Sequence, residues 1–296
     1  MKKSKTTLVV EGGGQLGIFT AGVLDSFIEH GFDNFDAFIG VSAGTHNISS
    51  YLSGKLGYSK RVIEEITTDK PFISIKRLFM GGHLIDLDWY FDTVTEHPEY
   101  RLDLDVITSR LGQREVLFCA TNWEDGSPCY LAPDNGSWFL YSKASSAIPF
   151  LYRKGVNVDD ACLVDGGVSD PLPVIKAYED GASDILAIRT VPEGTPFTFE
   201  WARHLQKIAL QGGSVLNHLI NLQSNYERTL AFIDSPPEDV SITQICPETY
   251  LSSRILFSSK TAMSNDYLQG YEAGLRYLAD INIASNDIGL SANRVA

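Results

Sequence analysis

The chain has 296 residues, enough for one large domain or two small ones, and its 44% hydrophobic and 21% charged residues are ordinary for a soluble globular protein. Its 24 basic and 37 acidic residues give a net charge of −13, which argues against a nucleic-acid partner and against purely electrostatic adhesion to an anionic membrane. No run of apolar residues reaches the roughly 18 that would span a bilayer, and the apolar stretch at residues 8–10 is too short for a signal peptide, so we expect a cytoplasmic protein.

The residue types that bind metals do not occur at metal-site spacings. No CxxC spacing joins the four cysteines, which argues against zinc and dithiol redox sites and predicts free buried thiols: Cys119, Cys129, Cys162 and Cys246. Asp86, Asp88 and Asp92 lack the spacing of a calcium loop and are interpreted as helix caps and solvated side chains. We therefore expect neither a metal nor a cofactor.

In chain order, the first part of the sequence predicts two strand–turn–helix units. The β-branched run at residues 6–11 predicts a buried strand, and apolar residues at helical spacing over 16–28 predict a helix that ends near Gly31. "DAFIG" predicts a second strand and "AGTHNISSYLSG" a second helix. This repetition indicates βαβ units and a parallel sheet, and residues 57–112 are expected to be helical and irregular.

The second part alternates in the same way. Strands are expected at "EVLFCATN", "PCYLA", "ACLVDGG", "DILAIRTVP" and "DVSITQIC". Helices are expected at "SWFLYSKASSAIP", after Pro171 or Pro173, over 198–232 as two helices broken at Gly212–Gly213, and at "KTAMSNDYLQGYEAGLRYLAD", with the last dozen residues frayed. Because no repeat or linker interrupts the pattern, one domain over 1–296 is favoured, with its core motifs within 7–190 and a helical extension at about 198–285.

A glycine-rich turn follows the first strand. Gly12, Gly14 and Gly17 fit G-x-G-x-x-G, the dinucleotide-binding fingerprint, but Asp36 opens the second strand instead of closing it with the required acid. The turn could also bind nothing. A third interpretation is an oxyanion hole, since successive glycines before a helix point backbone N–H groups at an anion.

The second strand ends in Gly-x-Ser-x-Gly, formed by Gly40, Ser42 and Gly44, which is typical of a nucleophile on a sharp strand-to-helix turn. An ordinary N-cap serine is the alternative. A serine nucleophile needs a base. His204 and His218 lie in helical patterns that read as structural, and His46 is expected to pack or face solvent.

Asp165 is the other candidate for the base. It ends an apolar strand, as Glu11 and Ser42 do, and the carboxyl ends of strands in an open α/β sheet share one edge. An aspartate that only stabilises its own turn is the alternative.

In their order, "EGGGQLG", "GVSAG" and "VDGGVSDPLPV" resemble the patatin-like phospholipase family, as does "KASSAIPFLY", over roughly residues 7–190. The resemblance implies a three-layer αβα fold with a mostly parallel sheet. It implies hydrolysis of acyl esters in lipids by Ser42 as nucleophile and Asp165 as base, with Gly12, Gly13 and Gly14 lining the oxyanion hole. It implies a lipid or acyl-ester substrate and permits transient contact with a membrane surface.

Two residues depart from the family pattern. Glu11 replaces the usual Asp, and Leu16 replaces the usual Arg or Lys before the last glycine. The loss of that cation leaves open a non-catalytic member that binds lipid or a partner protein. Residues 71–91 and the helices over 199–232 could border an acyl pocket or form a lid, or simply pack in the core.

Overall fold

The computed structural model describes residues 4–152, 154–195 and 213–292. Its strands are β1 Thr6–Val10, β2 Ala37–Val41, β3 Glu115–Asn122, β4 Pro128–Leu131, β5 Val156–Val158, β6 Ala161–Asp165, β7 Asp184–Ile188 and β8 Ser241–Ile245. The helices in the described residues are α1 Gly17–Glu29, α2 Ala43–Ser53, α3 Tyr58–Arg61, α4 Ile75–Phe79, α5 Leu87–Glu96, α6 Leu104–Leu111, α7 Trp138–Ser145, α8 Val174–Glu179, α9 Gly213–Asp234 and α10 Lys260–Ala292. A π-helical turn, Val62–Ile66, continues α3, and 3-10 turns occupy Gly14–Leu16 and Gly166–Val168.

The strands form one sheet with two covered faces. Along β1, Leu8 and Val10 join the core cluster that holds Phe19 of α1 and Ile48 of α2. The alternate residue, Val9, joins a second cluster on the opposite face, which includes Val174 and Ala177 of α8 and Tyr226 of α9. Because successive side chains of a strand point to opposite faces, this division places a helical layer on each side of the sheet. The expected three-layer αβα architecture is confirmed.

The order of the strands is β5-β6-β3-β2-β1-β7-β8, with β4 paired to β3. The strands β3, β2, β1, β7 and β8 run parallel to one another. β4 and β6 are antiparallel to β3, and β5 is antiparallel to β6. The sheet is therefore mostly parallel, as expected, but β6, which carries Asp165, runs antiparallel to the five parallel strands.

β3 is the strand on which two others meet. β2 pairs with its first half up to Cys119, where Val41 is the partner, and β6 begins its pairing at Ala120, where Asp165 is the partner. β4 pairs with both Cys119 and Ala120, so it occupies the opposite edge of β3. Since a strand has only two edges, β2 and β6 lie on the same edge and point at each other.

The predicted elements are confirmed with a few differences. β5 was not expected, because three residues are too few to give a periodic pattern. The last helix runs on to Ala292, where a frayed end was expected. The first of the two helices expected over 198–232 lies outside the described residues, whereas the second begins at Gly213.

Two further expectations concern cysteines and membranes. All four cysteines are unpaired, but only Cys119 is buried, so the expectation of buried thiols holds for that residue alone. Within the part of the chain that the structure describes, no helix combines the length and the apolar character that crossing a bilayer requires.

The contact between α1 and α10 depends on glycine. A Cβ added to Gly270 of α10 would lie 1.9 Å from the carbonyl oxygen of Phe19, and one added to Gly22 of α1 would lie 2.1 Å from that of Tyr267. These distances leave no room for a methyl group against backbone atoms. The two helix backbones touch directly.

We expect Gly270→Ala to lower the free energy of unfolding by about 1–3 kcal/mol, because the added methyl group must push α10 away from α1. Urea unfolding monitored by circular dichroism measures the change. Glu272→Ala, an exposed position on the same helix, serves as the control and should change stability by less than about 0.5 kcal/mol. An unchanged Gly270→Ala variant would show that the two helices do not pack this closely.

Candidate active site

Ser42 occupies a strained turn between β2 and α2. Its φ of 52° and ψ of −122° lie outside the regions that residues other than glycine usually adopt. The flanking glycines make the turn possible, since a Cβ on Gly44 would lie 2.4 Å from the carbonyl oxygen of Val10 and one on Gly40 would lie 2.8 Å from Ile48 Cδ1. This geometry matches the sharp strand-to-helix turn expected from Gly-x-Ser-x-Gly.

The backbone of Ser42 is held on both sides of the turn. Its N–H donates a 2.9 Å hydrogen bond to Oγ of Ser145, and the Ser145 hydroxyl donates in turn to the carbonyl of Cys119 at 2.5 Å. The carbonyl of Ser42 accepts from the amide and the hydroxyl of Thr45, at 2.9 and 2.8 Å. These bonds fix the backbone from which the Ser42 side chain projects.

Asp165 lies beside Ser42 because β2 and β6 point at each other along β3. Ser42 directly follows Val41, the partner of Cys119, while Asp165 is the partner of Ala120. The sequence predicts Asp165 at the carboxyl ends of parallel strands. The structure differs in one respect, because β6 reaches this edge as an antiparallel strand that starts beyond it.

The Asp165 carboxyl group is buried and its two oxygens differ. Oδ1 accepts a 2.8 Å hydrogen bond from the amide of Gly167, whereas Oδ2 has no hydrogen-bond partner among the described residues. Burial raises the pKa of Asp165 to about 6, against the lowering effects of the nearby Ser42 hydroxyl and the Gly167 amide. The Ser42 hydroxyl is therefore close to the carboxylate without forming an aligned hydrogen bond to it.

The glycine turn contacts the serine turn directly. A Cβ on Gly12 would lie 3.1 Å from the Cβ of Ser42, and Gly13 and Gly14 have φ values of 141° and 59° that favour glycine. Within the described residues, the backbone amides of these three glycines donate no hydrogen bond. Three free amides in succession beside a serine hydroxyl form an arrangement that can bind an anion.

Glu11, immediately before these glycines, is buried in a polar cluster. One carboxylate oxygen accepts from the amide and hydroxyl of Thr190 at 2.6 and 3.0 Å, and the other accepts from the hydroxyl of Tyr226 at 2.7 Å. Arg189 is also buried and donates to Tyr226 and to the side chain of Gln244, both at 2.9 Å. Burial raises the pKa of Glu11, and the charge of Arg189 opposes that shift. The carboxylate thus anchors the start of the glycine turn to β7 and α9.

An apolar cavity of about 870 Å³, including the space at its mouth, opens beside Ser42. Its polar border includes Ser42 and Gly14, and most of its wall is aliphatic or aromatic, with Tyr58, Val62, Ile63, Phe72, Ile85, Leu87, Tyr90, Val94, Leu102, Phe139, Ile148, Ile255 and Leu256. Four of these residues come from the 71–91 stretch, for which the sequence left open a pocket wall or core packing. They do both, because Phe72, Ile85, Leu87 and Tyr90 are buried and also line the cavity.

His46 lines the same cavity but is not placed as a base for Ser42. Its ring nitrogens bond to the hydroxyls of Tyr90 and Ser146, each at 3.1 Å. Burial lowers the pKa of His46 to about 4, so the ring is neutral at pH 7. His204 and the side chain of His218 lie outside the described residues.

The aspartates near residue 88 are structural. Asp86 caps α5 by accepting from the amide of Trp89 at 3.0 Å, and Asp88 pairs with Lys143, as expected for caps and surface groups. In the described ranges, no three His, Cys, Asp or Glu side chains are grouped as metal ligands.

Three residues of the site were not identified from the sequence. The sequence pattern could have indicated Ser145, because it belongs to the "KASSAIPFLY" stretch. Ala147 of the same stretch accepts a hydrogen bond from the amide of Asp165 at 3.1 Å. That stretch therefore supports both Ser42 and Asp165. No sequence pattern indicated Arg189 or Tyr226, since Tyr226 lies 215 residues from the Glu11 that it contacts.

Comparison with known proteins gives the family. The model of the patatin-like phospholipase family matches residues 8–178, and a domain of unknown function, DUF6363, matches residues 213–283. The uncharacterised protein YjjU of Escherichia coli strain K12 is 37% identical over 281 residues, which cover 94% of this chain and 78% of that protein.

Two solved structures are similar to this chain. VipD from Legionella pneumophila matches with a TM-score of 0.50 and 13% identity over 94% of this chain and 67% of VipD. Human GIVD cytosolic phospholipase A2 matches with a TM-score of 0.47 and 11% identity over 92% of this chain and 61% of that protein. The likeness to VipD shows a shared fold alone. Because the family match spans more than half of the chain and the bacterial relative aligns over nearly all of it, the chain belongs to the patatin-like phospholipase family.

Proposed function

We propose that this protein is a serine acyl-ester hydrolase that acts on lipids, with Ser42 as the nucleophile and Asp165 as the base. The observation that carries the proposal is the meeting of β2 and β6 on one edge of β3. It brings a strained serine next to a buried carboxylate whose Oδ2 has no partner in the described residues. Family membership supports a lipid hydrolase independently.

The proposed reaction is an acyl transfer through Ser42. The hydroxyl oxygen attacks the ester carbonyl while Asp165 takes the hydroxyl proton and passes it to the leaving alcohol. Water then attacks the acyl-enzyme, with Asp165 again as base. An ordinary aspartate is a weak base for an alcohol, and the pKa raised to about 6 makes Asp165 a better one while leaving it ionised at pH 7.

The free amides of Gly12, Gly13 and Gly14 are proposed as the oxyanion hole. The tetrahedral intermediate places a negative charge on the former carbonyl oxygen, and preorganised N–H donors stabilise it at no reorganisation cost. One such donor typically contributes about 10²–10³ in rate, so most of the catalysis would come from this turn. Glu11, bonded to Thr190 and Tyr226, holds the start of this turn in position.

The cavity points to the substrate class. Its wall is mostly aliphatic and aromatic, which suits an apolar chain better than a polar or charged ligand. We propose that it receives the acyl chain of a lipid ester, whose carbonyl then lies at Ser42. The unpaired cysteines suit a reducing compartment, so the proposal includes action in the cytoplasm.

We also propose that the chain functions as a single domain. The region that matches the second family model supplies Tyr226 to the Glu11 cluster and packs Gly270 against α1. It also covers the glycine turn, since a Cβ on Gly14 would lie 2.5 Å from the carbonyl oxygen of Ile255.

The two alternatives left by the sequence have less support. A dinucleotide site would need an acid at the end of β2, where Val41 and Ser42 stand instead. A non-catalytic member would still need an explanation for the unpaired carboxylate oxygen beside a strained serine. Labelling of Ser42 distinguishes both alternatives from the hydrolase.

We expect a fluorophosphonate probe to label the folded protein at Ser42, because the probe mimics an ester and reacts with an activated hydroxyl. Ser42→Ala should abolish both the labelling, read by mass spectrometry, and the release of fatty acids from a mixed-lipid extract. Ser53→Ala is a matched control on the same helix, where the hydroxyl bonds to the carbonyl of Ser50. Absence of labelling in folded wild-type protein would overturn the proposal.

The rate should depend on pH through Asp165. Because the base acts when deprotonated and its pKa is about 6, kcat/KM for a soluble ester should rise about tenfold per pH unit below that value and level off above it. Asp165→Asn should reduce kcat by about 10²–10⁴-fold. A flat profile between pH 5 and pH 8 with full activity in Asp165→Asn would exclude Asp165 as the base.

The same carboxyl group should lower stability at neutral pH. Its folded pKa is raised from 3.8, so its protonated form favours the fold, and this contribution is lost as the pH rises through about 6. We expect the unfolding free energy of the Asp165→Asn protein, minus that of wild type, to rise by up to about 3 kcal/mol between about pH 4 and pH 7. Urea unfolding at the two pH values measures this difference, and a difference that does not vary with pH would contradict it.

Glu11→Ala should lower the unfolding free energy by about 3–5 kcal/mol, because it removes the carboxylate near the buried Arg189 and the hydrogen bond that Tyr226 donates to Glu11. In Glu11→Gln, which is milder, we expect kcat to fall about tenfold or more with KM little changed, since the glycine turn shifts. Tyr178→Phe, which removes an exposed tyrosine hydrogen bond, is the control and should leave both quantities unchanged. A fully stable Glu11→Ala protein would show that this cluster does not hold the turn.

A further inference from the structure

Residues 70–85 form a closed loop that projects from the cavity wall; we call this loop the projecting segment. Its ends are joined by hydrogen bonds from the amide of Ser74 to the carbonyl of Leu84 at 2.9 Å and from the amide of Asp86 to that of Phe72 at 2.8 Å. The guanidinium of Arg77 donates to the carbonyls of Phe72 at 2.9 Å and His83 at 3.0 Å, which ties the interior of the loop together. Hydrogen bonds within the segment, from its backbone and from the Arg77 side chain, therefore hold its shape.

The base and the tip of the projecting segment have opposite environments. At the base, Phe72 and Ile85 are buried and line the cavity beside Ser42. At the tip, Phe79 is 86% exposed and Met80 is 77% exposed, the highest values for large apolar side chains in the described residues, and Ile75 is 55% exposed. Apolar groups this exposed on consecutive positions are typical of a surface that leaves water when it binds.

The charge of the projecting segment is opposite to that of the whole chain. Between Asp69 and Asp86 the sequence carries the cations Lys70, Lys76 and Arg77 and no acidic residue, although the net charge of the protein is −13. Arg77 pairs with Asp86 at 3.3 Å. Lys70 and Lys76 are exposed and form no ion pair within the described part of the chain. The apolar tip is thus flanked by positive charge that is available to an anionic surface.

We propose that the projecting segment docks the protein on an anionic lipid bilayer. The side chains of Ile75, Phe79 and Met80 enter the boundary between headgroups and acyl chains, while Lys76 contacts anionic headgroups. The inference rests on the proposed function. Docking through this segment would bring the part of the cavity wall formed by Phe72 and Ile85 close to the lipid surface. A lipid ester could then reach Ser42 without crossing bulk water.

A bilayer fits this surface better than a protein partner does. Stable protein interfaces bury about 800 Å² on each side, and one helical turn with three exposed apolar side chains offers much less. Insertion into an interface requires only a few apolar side chains with nearby cations. The overall negative charge repels an anionic membrane elsewhere on the protein, so it favours contact through this segment alone.

The test measures flotation of the full chain with vesicles of phosphatidylcholine alone or mixed with phosphatidylglycerol. We expect wild-type protein to bind the mixed vesicles more strongly. The double variant Phe79→Ser, Met80→Ser should lower partitioning by about tenfold or more on both vesicles. Lys76→Gln should lower it by about fivefold on the anionic vesicles only, and this effect should vanish at high salt. Leu268→Ser, which is 56% exposed on α10, is the matched control and should bind like wild type.

Hydrolysis of a soluble short-chain ester separates this inference from the proposed function. All of these variants should retain the wild-type rate on that ester and the wild-type melting temperature, because their side chains lie outside the cavity. If the tip variants float like wild type, or if they only abolish a dimer formed without lipid, docking is overturned while Ser42 chemistry can stand. If vesicles bind through the tip but the probe never labels Ser42, docking stands and the hydrolase is overturned.

Discussion

The hydroxyl of Ser145 accepts from the amide of Ser42 and donates to the carbonyl of Cys119, and the candidate site depends on this pair of hydrogen bonds. A serine at φ 52° costs about 1–3 kcal/mol, and such a conformation persists only where its surroundings enforce it. Here the enforcement comes from the end of α7 on one side and from close backbone contacts at Gly40 and Gly44 on the other. The packing around Ser42 therefore holds this residue in its strained conformation.

The two buried carboxylates of the site, Glu11 and Asp165, differ in their hydrogen bonds. Both carboxylate oxygens of Glu11 accept hydrogen bonds, from Thr190 and from Tyr226, as expected of a supporting group. By contrast, one oxygen of Asp165 has no partner among the described residues, and burial raises the pKa of this carboxyl group to about 6. A buried polar atom without a partner is costly, and at Asp165 a proton or a substrate group can supply the missing partner.

Local pattern predicted the strands β1, β2 and β3, the turns after them and the residues 42 and 165, because glycine and β-branched residues mark strand ends over a few positions. The direction of β6 could not be predicted, since a short apolar run has the same side-chain pattern in parallel and antiparallel pairing. The contacts of Glu11 with Arg189 and Tyr226 depend on tertiary structure across more than half of the chain. The hydrogen bonds of Ser145 to Ser42 and Cys119 depend on the packing of α7 near the end of β2, which no local pattern encodes.

Side chains alternate along a strand, and Asp165 is held to its face of the sheet by the pairing of β6 with the second half of β3. One residue inserted or deleted within β6 would turn this carboxylate to the opposite face, whereas length changes in the connection from β3 to β4 would leave the alternation intact. Natural variants of this fold should therefore differ freely in that connection and hold the spacing between Ala161 and Asp165 constant. A homologue with an altered spacing there would keep its layers but would no longer bring this carboxylate beside the serine.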